Sequence, residues 1–205
     1  MPGRSAGGSP ASLDLERLIG DARRRLPRSH KALLEQIGVQ DAVVNRWPDG
    51  VQAFYETLKA TPPTAGDLAN ALAVWLPDVR VVAYNGDLLS HALDVHDLDQ
   101  ASVQRAVDNI AWHEYGHALS ATRASSTTKR DGPRLLGLLP PGLRAAIDYP
   151  GGYRQMQVFD EVIANVYALV IGRAVQSGDY RMPSFLHPDV CDAFKAVVPW
   201  PPDAR

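Results

Sequence analysis

A short histidine-containing stretch constrains this chain more than any other part of its sequence. Residues 110–119 read IAWHEYGHAL and contain the pattern HExxH. In an α-helix, residues four apart share one face, so His113 and His117 would stack one turn apart with the spacing that binds one zinc ion. Glu114 would lie about 100° around the helix from His113, where its carboxylate can reach a water on the metal without binding the metal itself.

The residues around the motif predict a buried helix. One apolar strip lies in line with the polar side chains of the motif and a second lies roughly opposite: Val103, Ala106, Val107 and Ile110 on the first, and Trp112, Tyr115 and Leu119 on the second. Polar groups buried without partners cost about 2–7 kcal/mol each. A metal is the most economical partner for two histidines, so the pattern favours zinc over a structural histidine pair.

Composition narrows the class of protein further. The 205 residues, of which 45% are apolar, can bury one good core. A formal net charge of −2 gives no reason to expect nucleic acid or an anionic membrane as a partner. Cys191 is the only cysteine, which excludes an intramolecular disulfide and a cysteine-rich zinc site. No signal-peptide core or membrane span is evident, so we expect a soluble, cytoplasmic protein.

The chain before the motif divides into a tail and a helical region. Residues 1–11 are rich in Gly, Ser and Pro and predict a disordered tail. Residues 12–77 predict helices, the first from Ser12 as N-cap to about residue 26, and the second from Ser29 to Gly38. The first of these ends in a basic patch, which we interpret as a solvated helix end: Arg23, Arg24, Arg25 and Arg28.

Residues 29–50 resemble a degenerate helix-turn-helix of the Cro/repressor type, with a short second helix over residues 39–47. That second helix would offer Gln40, Asp41, Asn45 and Arg46 rather than a basic face. The pattern therefore favours a structural pair of helices over DNA binding.

A small sheet is predicted directly before the motif. Two further helices are expected at residues 51–59 and 65–76, then a strand over residues 79–84, a turn, and a second strand over residues 88–95. We interpret His91 and His96 as ordinary polar residues of that strand and its exit loop. A sheet at this point is what a zincin-like fold requires, because its edge strand can bind an extended peptide. The expected fold is α+β and predominantly helical, with residues 78–200 as the compact zincin-like domain.

The best source of a third ligand is the apolar helix predicted at residues 157–175. Small residues follow Glu161 along one face and would let this helix approach the HExxH helix closely: Ala164, Asn165, Ala168 and Gly172. Asn165 could hydrogen-bond a ligand. Asp160, about 100° away on the same helix, is the alternative ligand. Between the two helices we expect a mobile polar loop at residues 122–133, a helix broken at residues 140–142, and a glycine-rich turn.

Both motifs together resemble the ImmA/IrrE-type metallopeptidases, a compact gluzincin family. The resemblance is carried by two groups of residues: His113, Glu114, Gly116 and His117, then Glu161, Ala164, Asn165, Tyr167 and Ala168. It implies that His113, His117 and Glu161 bind zinc and that Glu114 is the general base. Such proteins often occur with a repressor-like helix-turn-helix protein, which implies a transcriptional repressor as one candidate partner.

The leading hypothesis is a zinc metallopeptidase that cuts a specific protein partner, with Glu114 taking a proton from the attacking water. An oxyanion donor is also expected, and Tyr149, Tyr153 and His187 are the candidates, with Tyr153 preferred. The alternatives are a regulatory protein that keeps the metal without turnover, and a DNA-binding regulator that uses residues 29–50.

Overall fold

The computed structural model describes residues 14–47, 49–58, 68, 71–95, 98–147 and 155–200. The expected tail, His96, Tyr149 and Tyr153 lie outside these residues. Most of the described chain is helical, with a small sheet before the HExxH helix, and this agrees with the expected α+β class. The described elements are α1 Leu15–Arg24, α2 Arg28–Ile37, β1 Gln40–Val44, α3 Asp49–Leu58, β2 Ala73–Leu76, β3 Val81–Asn85, α4 Gly86–Val95, α5 Gln100–Ala121, α6 Ser126–Lys129, α7 Gly132–Gly137, α8 Pro141–Ile147, α9 Gln155–Ser177 and α10 Pro188–Val197.

The sheet has three strands in the order β1-β3-β2. β1 runs parallel to β3, from the pair Gln40↔Val81 to Val44↔Asn85, and β2 runs antiparallel to β3. Side chains of β3 alternate between two cores, as the strand period of two requires. Val82 and Tyr84 face the main helical core, whereas Val81 and Ala83 join a smaller core with α3. The sheet therefore draws on strands from both sides of the expected boundary at residues 77/78.

Helices α5 and α9 form the centre of the main core, and both are buried along most of their length. Helix α1 lies across α5 and is fixed there by polar contacts as well as apolar packing. The indole of Trp112 donates to the Ala22 carbonyl at 3.0 Å, and the Gln104 amide donates to the Leu18 carbonyl at 2.9 Å. Each contact satisfies a polar group that burial would otherwise leave without a partner.

A buried histidine joins α2 to α9. His30 Nε2 lies 2.9 Å from the Pro199 carbonyl, and Nδ1 lies 2.9 Å from the Tyr167 hydroxyl. Because a carbonyl only accepts, Nε2 carries the proton of the neutral ring and Nδ1 accepts from Tyr167. Burial lowers the pKa of His30, and the hydrogen bond to Pro199 opposes that change only in part.

The expected short helix at residues 39–47 is wrong, because Gln40–Val44 is strand β1. Its second half carries the β-branched pair Val43 and Val44, and its backbone is satisfied by parallel pairing with β3, a partner some forty residues away in the sequence. The segment that would have entered a DNA groove is thus part of the sheet, and the helix-turn-helix interpretation loses its second helix.

The expected strand at residues 88–95 is also wrong, since Gly86–Val95 is helix α4. The Asn85 side chain accepts a hydrogen bond from the Leu88 amide at 3.0 Å, which is the contact of a helix N-cap. Leu89 and Leu93 are buried at a spacing of four, as a helix requires. The Asn-Gly-Asp sequence therefore starts a helix instead of turning a hairpin. His91 is exposed on α4.

Several smaller expectations also change. Ala73–Leu76, expected to be the end of a helix over residues 65–76, is strand β2. The polar loop expected after the motif contains the short helix α6. Asp14 caps α1, while Ser12 lies outside the described residues. The second helix does end at Gly38, which is left-handed with φ of 82°. The helix expected over residues 134–147 is interrupted, as predicted, but at residues 138–140, because Pro141 and Gly142 begin α8.

The arginines at the end of α1 are paired rather than free. Arg23 contacts Asp41, Arg24 contacts Asp21, and Arg25 forms an ion pair with the buried Asp108. This pairing leaves little basic charge for an anionic ligand. Within the described residues, none of the helices has the length and apolar character needed to cross a membrane.

Candidate metal centre

The HExxH motif occupies the C-terminal half of α5. Asp99 caps this helix by accepting from the Ser102 amide at 2.7 Å, so the helix begins at a defined residue and extends unbroken through the motif. Apolar partners bury its flanks, as the sequence predicts, with Ala111, Tyr115 and Leu119 fully buried. The two histidine side chains keep 23% and 15% exposure, so the face that carries them opens toward solvent.

Helix α9 brings Glu161 to both imidazoles. Oε2 of Glu161 lies 3.4 Å from His113 Nε2, and Oε1 lies 3.4 Å from His117 Nε2. The two Nε2 atoms lie 3.1 Å apart, and the rings meet edge to face. One donor atom from each of the three residues thus lies within 4.8 Å of the others.

These separations fit one shared metal ion. Two donor atoms bound at about 2.1 Å in tetrahedral geometry lie about 3.4 Å apart. The two Nε2 atoms lie 3.1 Å apart, and each of them lies 3.4 Å from a different oxygen of Glu161, so each of these separations is close to that value. Three protein donors fill three tetrahedral positions and leave the fourth to water or substrate. The His-His-Glu group can therefore hold a metal ion, and the fit comes from residues on two helices far apart in the sequence.

A glycine in the motif sets the distance between the two helices. A Cβ at Gly116 would lie 2.8 Å from the Ala164 Cα and 2.9 Å from the Tyr167 Cβ, closer than such atoms approach in proteins. Gly116 is buried and lies between the two histidines. The expectation that small residues allow a close approach is met here, but the contact point is Gly116 against Ala164. Gly172 has ordinary van der Waals space, with its nearest neighbour at 3.5 Å.

The His117 imidazole and the Glu161 carboxylate of this group shift each other's pKa. Burial alone would lower the pKa of His117, but the hydrogen bond and the negative charge of Glu161 outweigh it and raise that pKa to about 9. Burial alone would raise the pKa of Glu161, but both imidazoles outweigh it and hold that pKa well below its ordinary value. Both shifts favour a carboxylate beside a positive charge, which is the arrangement that a cation in the centre would also stabilise.

Glu114 differs from Glu161 in having no hydrogen-bond or ion-pair partner among the described residues. It is buried, with 7% exposure, and its carboxylate makes no hydrogen bond or ion pair with the described residues. Its negative charge nevertheless acts on His117 and contributes to the raised pKa of that imidazole. Glu114 lies beside the centre, outside the ligand group and without a hydrogen bond to the described residues, so its carboxylate is available to exchange protons with a small molecule bound there.

Asp160, the alternative ligand, is engaged elsewhere. Its Oδ2 accepts from Lys129 of α6 at 2.6 Å, and it is absent from the metal-binding group of the described residues. Its charge still adds to the raised pKa of His117. Asn165 was expected to support a ligand side chain, but it donates to the main-chain carbonyl of Glu161 at 2.9 Å. That contact lies within one turn of α9 and leaves the Glu161 carboxylate free to face the histidines.

The oxyanion donor is not identified among the described residues. His187 caps α10, where its Nδ1 accepts from the Asp189 amide at 3.2 Å, and it does not belong to the metal-binding group. Tyr149 and Tyr153 fall outside the described residues, so their candidacy stays a prediction.

A polar cluster on the side of α5 opposite the candidate ligands was not predicted from the sequence. Asp41 of β1 accepts from the Tyr115 hydroxyl at 2.9 Å, from the Tyr84 hydroxyl at 3.1 Å and from Arg23 at 2.7 Å. Burial and the charge of Asp41 raise the pKa of Tyr115, which stays protonated and donates. The only signal in the sequence was a tyrosine inside a metal-binding motif, on the side of the helix opposite the ligands.

Comparison of the chain with family models, with curated proteins and with solved structures found no match. The function is therefore inferred from the geometry of the His-His-Glu group and of Glu114.

Proposed function

We propose that the protein is a zinc-dependent metallopeptidase of the gluzincin type that hydrolyses a peptide bond in a specific protein partner. The observation that carries the proposal is the convergence of His113, His117 and Glu161 at ligand spacing, beside the buried Glu114. The resemblance of both motifs to the ImmA/IrrE-type family supports the same activity and a zincin-like fold.

Zinc is the metal that best suits this donor set. Two imidazoles and one carboxylate are the ligands of catalytic zinc in several hydrolases, and the fourth position is then open. A hard cation such as Mg²⁺ or Ca²⁺ prefers an all-oxygen site, which two histidines do not provide. His113, His117 and Glu161 would hold the ion, while Glu114 lies too far around the helix to join them.

The chain supplies the proton transfers of the reaction. When bound, zinc supplies Lewis acidity, which acidifies a water molecule and polarises the scissile carbonyl. Glu114 takes one proton from the water as its oxygen forms a bond to the carbonyl carbon. Glu114 then passes that proton to the amide nitrogen as the carbon–nitrogen bond breaks. Glu114 can do both because it has no hydrogen bond to the described residues that either step would break.

The sheet offers a place for the peptide. Strand β2 is at the edge of the sheet and packs beside α5, so its outer edge has no strand partner among the described residues. An extended peptide can pair with such an edge through main-chain hydrogen bonds. A folded protein presents an extended segment in few places, and this limits cleavage to particular partners. By the family resemblance, a repressor-type transcription factor is the first partner to test.

Metal analysis combined with three variants tests the proposal. Purified protein should contain one zinc per chain, and Glu161→Ala should lose it because two imidazoles remain without a carboxylate. Asp160→Asn is the matched control and should keep the metal, since Asp160 contacts Lys129 instead. Glu114→Gln should keep the zinc but lose cleavage of a proteome-derived peptide library, measured by mass spectrometry.

Two outcomes would contradict the proposal. Retention of stoichiometric metal by Glu161→Ala would show that Glu161 is not a ligand. A zinc-loaded wild-type protein that cleaves neither peptides nor co-expressed repressors would point to a regulatory protein that binds through the same scaffold without turnover.

A further inference from the structure

A groove lies where three elements meet, and one of them is the helix that carries the HExxH motif. Helix α2 contributes Leu33 and Ile37, the β2–β3 hairpin contributes Trp75, and the end of α5 contributes Ala118 and Ala121. Its volume is about 480 Å³, enough for a large apolar side chain together with its neighbours along a peptide. The walls are mainly apolar, so burial of an apolar side chain there is favourable.

The groove shares helix α5 with the candidate ligands and Glu114, which do not themselves line it. Ala118 follows the candidate ligand His117 directly and lies one helical turn beyond Glu114. Trp75 belongs to the edge strand β2, whose outer edge is the proposed site for an extended peptide. A peptide that pairs with β2 would therefore place its side chains against this groove while its backbone passes the metal centre.

One cation marks the rim of the groove. Arg80 is exposed in the turn before β3, and its side chain makes no ion pair or hydrogen bond with the described residues. Among the residues that line the groove, none is acidic. Arg80 also has a left-handed backbone with φ of 55°, a conformation that residues other than glycine rarely adopt. An unpaired guanidinium beside an apolar wall is complementary to a carboxylate beside an apolar side chain.

Strand geometry gives the spacing between an apolar and an acidic side chain on a bound peptide. In an extended peptide, residues two apart point to the same side and lie about 7 Å from each other. We infer that this groove selects protein substrates in which an apolar residue is followed or preceded, two positions away, by Asp or Glu, and that Arg80 reads the carboxylate. This inference depends on the proposed peptidase function, and Arg80 acts as a specificity-determining residue of that reaction.

Binding is measured with the zinc-loaded Glu114→Gln protein, which should hold a peptide without cutting it. The probes are three fluorescein-labelled decapeptides that differ at one position, with the sequences Leu-Ser-Glu, Leu-Ser-Gln and Leu-Ser-Lys between identical flanks. We expect the Glu peptide to bind about fivefold more tightly than the Gln peptide, the upper end for an ion pair at an exposed rim. Raising the salt concentration should reduce that ratio.

Variants at Arg80 then test which residue reads the charge. Arg80→Asn should abolish the preference for Glu, and Arg80→Glu should reverse it in favour of Lys. Arg46→Asn is the matched control, since Arg46 also has a left-handed backbone, with φ of 59°, and does not line the groove. Asparagine tolerates this backbone conformation, so both Asn variants should fold, which thermal unfolding checks. Ala121→Phe should weaken all three peptides because it fills the groove from an exposed position.

The outcomes separate this inference from the proposed function. Equal binding of the three peptides, or a Glu preference that survives Arg80→Asn and Arg80→Glu, overturns the inference. If the wild-type protein cleaves library peptides without an acidic residue two positions from an apolar one, the peptidase proposal stands and the inference fails. If it cleaves nothing but the Arg80-dependent preference is present, the groove binds as inferred and the peptidase proposal fails.

Discussion

The separation of the two central helices can be tested by adding one methyl group. In Gly116→Ala, the new Cβ would lie 2.8 Å from the Ala164 Cα, a backbone atom that no side-chain rotation can move. Restoring that contact to an ordinary 3.4 Å requires the helices to separate by about 0.6 Å. Metal–ligand bonds tolerate deviations of only about 0.2 Å. Glu161 on α9 would thus be displaced from the two histidines on α5 by more than a metal site accommodates.

The expected result has two parts. Overpacking a buried contact costs about 1–3 kcal/mol, while replacing a helical glycine by alanine returns about 1 kcal/mol, so the metal-free protein should lose about 1 kcal/mol of stability. Zinc affinity should fall at least about tenfold, as it does when the surroundings of a metal ligand are altered. Competition with a chromophoric chelator measures the affinity, and urea unfolding of the metal-free protein measures the stability.

Gly172 provides the control on the opposite helix. A Cβ at Gly172 would meet its nearest neighbour, the ring of Trp112, at an ordinary 3.5 Å. Gly172→Ala should therefore stabilise α9 by up to about 1 kcal/mol and leave zinc affinity unchanged. If Gly116→Ala matches this control in both measurements, the close approach at Gly116 does not position Glu161 and the reasoning fails.

Three further predictions concern pH, the cluster at Asp41 and the metal. His30 has a folded-state pKa below the ordinary 6.5, so the unfolded chain takes up the proton first as the pH falls below 6.5. The free energy of unfolding should therefore decline below that pH by up to about 1.4 kcal/mol per pH unit, and it should decline less in His30→Gln. Urea titrations at pH 5–7 measure this decline. Asp41→Asn should cost about 2 kcal/mol in thermal unfolding, because a charged acceptor of three donors is lost, and an unchanged midpoint would refute this. Zinc at 1,000 times its dissociation constant should raise the free energy of unfolding by about 4 kcal/mol, an effect that Glu161→Ala removes.

The parts of the site that the sequence predicts are those that local geometry decides. A spacing of four in a helix brings His113 and His117 together wherever the helix lies, and small residues beside Glu161 indicate which face of the second helix meets them. The same line of small residues favours Glu161 over Asp160 as the third ligand. The contact of Asp160 with Lys129 was not predicted, because Lys129 lies on a segment expected to be a loop.

The errors fall where long-range contacts decide the structure. Gln40–Val44 forms a strand because β3 pairs with it, and a partner so distant leaves no periodic signal in a five-residue segment. Asn85 and Gly86 fit a hairpin turn and a helix start equally well from sequence alone. The burial of Leu89 and Leu93 against the core decides between them, and that burial is known only once the helices are packed.

The cluster at Asp41 ties the sheet to the helix that carries the candidate metal ligands. Tyr115 lies between Glu114 and Gly116, so its hydrogen bond to Asp41 ties the motif itself to strand β1. The same carboxylate binds Tyr84 of β3, the strand that carries β2 at the sheet edge. One half-buried acceptor thus links the helix that carries Glu114 to the sheet that we propose as the peptide-binding site. A peptide paired with β2 would then meet Glu114 at a set distance, as an attack on one particular bond requires.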